Sequence, residues 1–140
     1  MNDRFFLDTN IFAYSFDTSV TKKQRRAQQL ILEGISTRKG AVSYQVVQEF
    51  FNVAFRKFTH PMSAADAEQY LHSIFRPLLA VHSSQTLFSQ ALRVKEQHRL
   101  SWYDALIVAA AMESRCTLLY SEDLHHGHRI GELQIANPFL

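Results

Sequence analysis

Apolar residues in this 140-residue chain fall into two patterns: short continuous runs, and stripes at three- and four-residue spacing. Phe5-Phe6-Leu7 is a continuous run, the signature of a strand buried on both faces of a parallel sheet. Ala41-Val42-Ser43, Leu78–Val81, Thr117–Tyr120 and Leu133-Gln134-Ile135 are the further strand candidates. Between them the period becomes helical. Ile11–Phe16 predicts a short helix or turn. Thr21 opens a helix to Glu33, with Gln24 completing a capping box, Ala27, Leu30 and Ile31 as the buried stripe, and Gly34 near its end. Ser43 caps a helix to about Phe58 whose apolar positions are Val46, Val47, Phe50, Phe51, Ala54 and Phe55. Ser63 and Asp66 start a helix to about Phe75, and Pro77 ends it. Thr86 to His98 is helical, with Leu87, Phe88, Ala91 and Leu92 on one face. Ser101 caps Trp102–Met112, whose Ala105–Ala111 segment is apolar all round and so is buried on several sides. Strands alternating with helices predict one α/β domain over residues 1–140, built on a parallel sheet.

Composition supports a folded core: 46% of residues are hydrophobic and 20% charged. No window approaches the roughly 18 uninterrupted apolar residues of a membrane span. Met1-Asn2-Asp3-Arg4 leads straight into the first strand without a basic n-region, so no signal peptide is read and a cytoplasmic protein is expected. Cys116, the only cysteine, reads as a buried structural thiol. The net charge of +2 does not by itself imply nucleic acid. The basic residues are clustered, however: Lys22, Lys23, Arg25 and Arg26, then Arg38-Lys39 and Arg56-Lys57. Each cluster alone reads as a solvated face. Together with an acidic pocket they would suit a phosphate-chain substrate.

The candidate chemistry lies in four acids. Asp8 and Asp123 each follow an apolar strand, Glu49 lies on the helix after the second strand, and Asp104 sits in the first turn of the apolar helix. In a parallel sheet these points share one edge, so acids far apart in sequence converge. Gathered carboxylates repel, and burial makes this worse, so such a cluster persists where a hard divalent cation neutralises it. Ligation by oxygen alone indicates Mg²⁺ or Mn²⁺ rather than zinc. Thr9, Asn10 and Ser121 would orient these acids and their bound water. Each residue also has a plainer reading. Asp8-Thr9-Asn10 is a possible self-capping turn, Asp104 a capping-box acid behind Ser101, Glu49 a solvated helix residue, and Asp123 the cap of a turn into Leu124. Glu122 reads as supporting or solvent-facing. His125-His126-Gly127-His128 reads as an exposed loop rather than a metal site, and Trp102 and Tyr103 as packing residues rather than base-stacking platforms.

Four segments taken together resemble the acidic motifs of PIN domains: Leu7-Asp8-Thr9-Asn10, Ser43 with Gln48-Glu49-Phe50, Trp102-Tyr103-Asp104-Ala105-Leu106-Ile107, and Leu119-Tyr120-Ser121-Glu122-Asp123-Leu124. Their order and spacing, and the chain length, resemble the VapC-type toxins of bacterial toxin–antitoxin pairs. The resemblance covers nearly the whole chain. It implies a five-stranded parallel sheet between helices and a Mg²⁺-dependent ribonuclease in which Mn²⁺ substitutes. Asp8, Glu49, Asp104 and Asp123 would form the acidic set, supported by Thr9, Asn10 and Ser121. Glu122 competes with Asp123 for the fourth place, and the motif register favours Asp123. The resemblance further implies an RNA substrate, a homodimer and a small antitoxin protein as partner. Two rival functions remain: a phosphatase with Asp8 as nucleophile, weakened by Asn10 where a second acid is needed, and a non-catalytic RNA- or protein-binding module, disfavoured by four intact acids.

Overall fold

The computed structural model describes residues 3–140. Its sheet has six strands: β1 (Phe5–Leu7), β2 (Gly40–Ser43), β3 (Leu79–Val81), β4 (Leu118–Tyr120), β5 (Arg129–Ile130) and β6 (Leu133–Ala136). They lie in the order β3-β2-β1-β4-β6-β5. Five run parallel, and β5 pairs antiparallel with β6 at one edge. The fold is therefore α/β, with a mostly parallel sheet flanked by helices. The antiparallel edge strand is an addition to the expected five. It spans two residues on the far side of a tight turn, too short to register as an apolar run.

The helices are α1 (Thr9–Tyr14), α2 (Thr21–Thr37), α3 (Tyr44–Arg56), α4 (Ala64–Tyr70), α5 (Arg76–Leu78), α6 (Gln85–His98) and α7 (Trp102–Glu113), with a π-helical turn over Leu71–Phe75 joining α4 to α5. Every residue of β1 and β2 is buried, as a sheet covered on both faces requires. On one side Phe12, Phe50 and Phe75 are fully buried in one aromatic cluster, Phe50 edge-on to the other two rings. Elsewhere in the core α7 is buried continuously from Ala105 to Ala111.

Several boundaries depart from the sequence reading. Thr21 does not cap α2: Val20 holds the cap position without a side-chain bond, and the Gln24 amide donates to Ser15 O instead. Gly34 does not end α2 but lies inside it. A Cβ at Gly40 would stand 2.6 Å from Gly34 Cα, so the two glycines let α2 and β2 touch backbone to backbone. Pro77 does not stop the helical segment either. It stands within α5, directly after the π-helical turn, and the helical segment runs one residue past it to Leu78. On α6 the buried stripe is Leu87, Ala91 and Val94, while Phe88 and Leu92 are exposed. Helix α6 packs mainly against α7 and buries its i, i+4, i+7 positions there, while Phe88 reaches only the edge of Trp102.

Candidate active site

The carboxyl ends of β1 and β4 meet where the strand order reverses, since β1 leads outward to β2 and β3, and β4 to β6 and β5. Ligands of open α/β sheets bind in the crevice outside such a point. Asp8 follows β1 directly, and Ser121-Glu122-Asp123 follow β4. The pairing of Leu7 with Tyr120 makes Asp8 and Ser121 the next residues on neighbouring strands. Ser121 Oγ accordingly donates to Asp8 Oδ2 at 2.7 Å. The other oxygen, Asp8 Oδ1, accepts from Thr9 N at 2.7 Å and caps α1.

The two residues after Asp8 reach the other walls. Thr9 Oγ1 donates to Glu49 Oε1 at 2.8 Å, and Asn10 Nδ2 donates to Asp123 Oδ2 at 3.2 Å. Ser121 Oγ, besides donating to Asp8, accepts from Asp123 N at 3.2 Å and Leu124 N at 3.4 Å, which uses its full hydrogen-bonding capacity. Asp104 lies in the first turn of α7, its N–H donating to Ser101 Oγ at 3.2 Å. Among the described residues its carboxylate accepts no hydrogen bond. Asp8, Glu49, Asp104 and Asp123 all line one cleft of about 410 Å³, with Thr9 and Asn10 beside them. Ser121 is fully buried behind Asp8.

The electrostatics follow from depth. Asp8 is only 5% exposed. Burial pushes its carboxyl up to about 6. The bonds from Ser121 and Thr9 oppose that rise, and the charges of Asp123 and Glu49 add to it. Glu122 faces elsewhere. Its carboxylate takes Lys23 Nζ at 2.6 Å and Tyr14 OH at 2.5 Å. Burial alone would raise the Glu122 carboxyl, yet these two donors leave it below its ordinary value. Adjacent acids are thus separated by the loop: Asp123 lines the cleft and Glu122 ties α2 to the β4 end.

The donor set is all oxygen, the chemistry of a hard divalent cation. Among the described residues no three Asp, Glu, His or Cys side chains are gathered closely enough to enclose an ion on their own. Asn10 Oδ1 is buried without a hydrogen-bond partner, an acceptor left over beside the acids.

The cleft is also lined by Gln45 and Asn52, which were not among the expected site residues, and by Tyr103. Gln45 and Asn52 stand four before and three after Glu49 on α3, the spacing of one helix face, and that signal was available. Tyr103, expected to pack, is 64% exposed. Trp102 does pack, edge-on against Phe88 at 5.8 Å. The basic clusters are only partly open to a ligand. Lys23 pairs with Glu122, Lys39 pairs with Asp3, and Arg26 Nε donates to Pro138 O. No helix among the described residues is long and apolar enough to cross a membrane.

Solved structures share this architecture. A toxin–antitoxin complex from Klebsiella pneumoniae superposes with a TM-score of 0.66 at 17% identity, over 95% of this chain and 96% of that one. VapC20 of Mycobacterium tuberculosis, a toxin that cleaves the sarcin–ricin loop, gives 0.63 at 20% identity over 85% and 89%. DNA-bound VapBC from Salmonella typhimurium gives 0.65 at 15% identity over 97% and 98%. At these identities the likeness establishes the fold alone. No curated protein sequence matches the chain significantly. The sequence model of the PIN domain matches residues 5–129, nearly the whole chain, and the protein belongs to the PIN-domain family.

Proposed function

We propose that the chain is a metal-dependent endoribonuclease and the toxin of a toxin–antitoxin pair, acting in the cytoplasm. The observation that carries this reading is the convergence of four carboxylates from four separate segments on one cleft at the sheet's switch point. Structural need does not explain such a cluster, because it buries Asp8 against its own carboxyl chemistry. Asp8, Glu49, Asp104 and Asp123 would hold one or two Mg²⁺ ions, with Mn²⁺ able to substitute. When bound, the cation supplies a Lewis acid for the phosphodiester and activates the attacking water. The spread of the acids suits an ion that keeps several waters, as Mg²⁺ does.

The chain's own groups do the positioning. Thr9 holds Glu49, Asn10 holds Asp123, and Ser121 holds both Asp8 and the backbone of the loop carrying Asp123. These bonds fix the carboxylates before substrate arrives. With water as nucleophile and the P–O3′ bond the one that breaks, the 3′-oxygen leaves as a hydroxyl after taking up a proton, and the products carry a 5′-phosphate and a 3′-hydroxyl. Lys22, Arg25, Arg56 and Lys57 have no carboxylate partner among the described residues and remain available to phosphates.

The partner reading draws on the structural relatives, which include toxin–antitoxin complexes and a toxin that cleaves the sarcin–ricin loop. The proposed partner is a small antitoxin, and the proposed assembly a homodimer. The test is cleavage of an RNA pool by purified protein. Cutting with Mg²⁺ or Mn²⁺ that stops in EDTA is expected, and undiminished cutting in EDTA would refute the metal mechanism. Growth arrest on expression, relieved by the adjacent small reading frame, tests the toxin assignment.

A further inference from the structure

We infer that the cleft carries a nucleobase subsite beside the acids, with the Tyr103 ring as its stacking platform and the Asn52 amide on its edge. The inference rests on the nuclease reading and deepens it. Tyr103 immediately precedes Asp104 and lines the same cleft as the four carboxylates. Among the described residues its ring stacks on no other aromatic and its hydroxyl makes no hydrogen bond, and it is 64% exposed. Its neighbour Trp102 is half-buried against Phe88. Of two consecutive aromatics at the start of α7, one is absorbed into the fold and the other is left open at the mouth of the site.

The backbone that carries the ring is held in place. Tyr103 lies in the first turn of α7, whose cap is closed by Ser101 and whose following turns are wholly buried. Gln45 Nε2 donates to Tyr103 O at 3.3 Å, tying that turn to α3. One turn beyond Glu49 on α3, Asn52 is exposed, lines the cleft and has no hydrogen-bond partner among the described residues. An exposed aromatic face and a free amide that line one cleft are groups by which proteins hold an unstacked base, the ring taking its face and the amide its edge. Placed next to Asp104, they would seat a base adjoining the phosphodiester that the acids face. The ligand class is therefore single-stranded RNA with an unpaired base at the cut, and duplex RNA is a poor substrate.

The test uses the purified full chain and two substitutions, Tyr103→Ala and Tyr103→Phe. Tyr103 is exposed, so the fold tolerates both substitutions, and unchanged thermal melting checks this. Cleavage of a single-stranded RNA pool with Mn²⁺ should show KM raised about tenfold for Tyr103→Ala with kcat within about twofold, the mark of lost binding shared by ground and transition states. Tyr103→Phe keeps the ring and should restore the wild-type KM. A second readout needs no turnover. A 5-bromouracil-substituted RNA pool irradiated in EDTA should crosslink to the peptide carrying Tyr103, and the crosslink should vanish in Tyr103→Ala. Wild type that cuts RNA, with Tyr103→Ala unchanged in KM and no crosslink at Tyr103, overturns the subsite and leaves the nuclease standing. Wild type that neither cuts nor crosslinks RNA overturns both. A KM rise in Tyr103→Phe equal to that in Tyr103→Ala also overturns the stacking role, because only the hydroxyl would then matter.

Discussion

Replacing Asp8 with asparagine removes a buried charge while nearly preserving the side chain's shape, and the outcome depends on pH. The Asp8 carboxyl is raised from its ordinary 3.8 to about 6 by burial, with Asp123 and Glu49 adding to the rise. Between these values the folded protein holds a proton that the unfolded chain has released. The contribution of Asp8 to stability is thus fully present below about pH 4, falls as pH rises, and is lost above the folded value. A difference of about two units at about 1.4 kcal/mol each makes the ionised carboxylate roughly 3 kcal/mol unfavourable to the metal-free fold at pH 8. Asparagine recovers only part of this. Its carbonyl can take the Thr9 N–H, but the Ser121 hydroxyl loses its acceptor, a penalty of about 1–2 kcal/mol. The expected net gain for Asp8→Asn at pH 8 is therefore about 1–2 kcal/mol, or roughly 3–6 °C in melting temperature for a chain of this length. At pH 4.5 the variant should lose this advantage. The assay is thermal melting in EDTA across that range. Mg²⁺ should reverse the order at pH 8, since saturation a hundredfold above Kd stabilises wild type by about 2.7 kcal/mol and the variant by much less. A wild-type to variant difference independent of pH would refute the buried-charge reasoning. A variant that still cuts RNA, and is stabilised by Mg²⁺ as much as wild type, would remove Asp8 from the site.

Other substitutions test other contacts. Ser121→Ala deprives Asp8 of a donor and two backbone N–H groups of their acceptor, so a loss of about 2–3 kcal/mol in urea unfolding is expected, with a further rise of the Asp8 pKa. Thr9→Val removes the bond to Glu49 without changing side-chain volume, and should lower RNA cleavage at least tenfold while changing stability by only about 1 kcal/mol. Lys23→Met breaks the pair with Glu122 and should lower stability only slightly, most clearly at low salt, because surface ion pairs are screened. Gly40→Ala would set a Cβ 2.6 Å from Gly34 Cα and 2.9 Å from Leu78 Cδ2, so a loss of about 3 kcal/mol in chemical denaturation is expected because the first obstacle is backbone.

Much of this protein is legible in its sequence because its signals are local. The continuous run Phe5-Phe6-Leu7 and the all-round apolar Ala105–Ala111 state their own burial. Ser63 and Ser101 announce their helices because the hydroxyl bonds an N–H three residues on. The order of elements then implies a parallel sheet, and a parallel sheet places Asp8, Glu49, Asp104 and Asp123 along one edge. What the sequence could not decide depended on partners distant in the chain. Gln24 completes a capping box on paper but is claimed by Ser15 O. Gly34 marks a helix end until Gly40 is known to lie against it. Phe88 and Leu92 share a stripe with Leu87 and Ala91, yet they stay exposed while Val94 is buried, Phe88 meeting α7 only at its Trp102 rim. The two acids Glu122 and Asp123 are equivalent by composition. Lys23 and Tyr14, from the other end of the chain, draw Glu122 away, and Asn10 holds Asp123 at the cleft. Periodicity and capping are fixed by neighbours within one turn. Which of two adjacent carboxylates reaches the site is fixed by long-range contacts that exist only once the chain has folded.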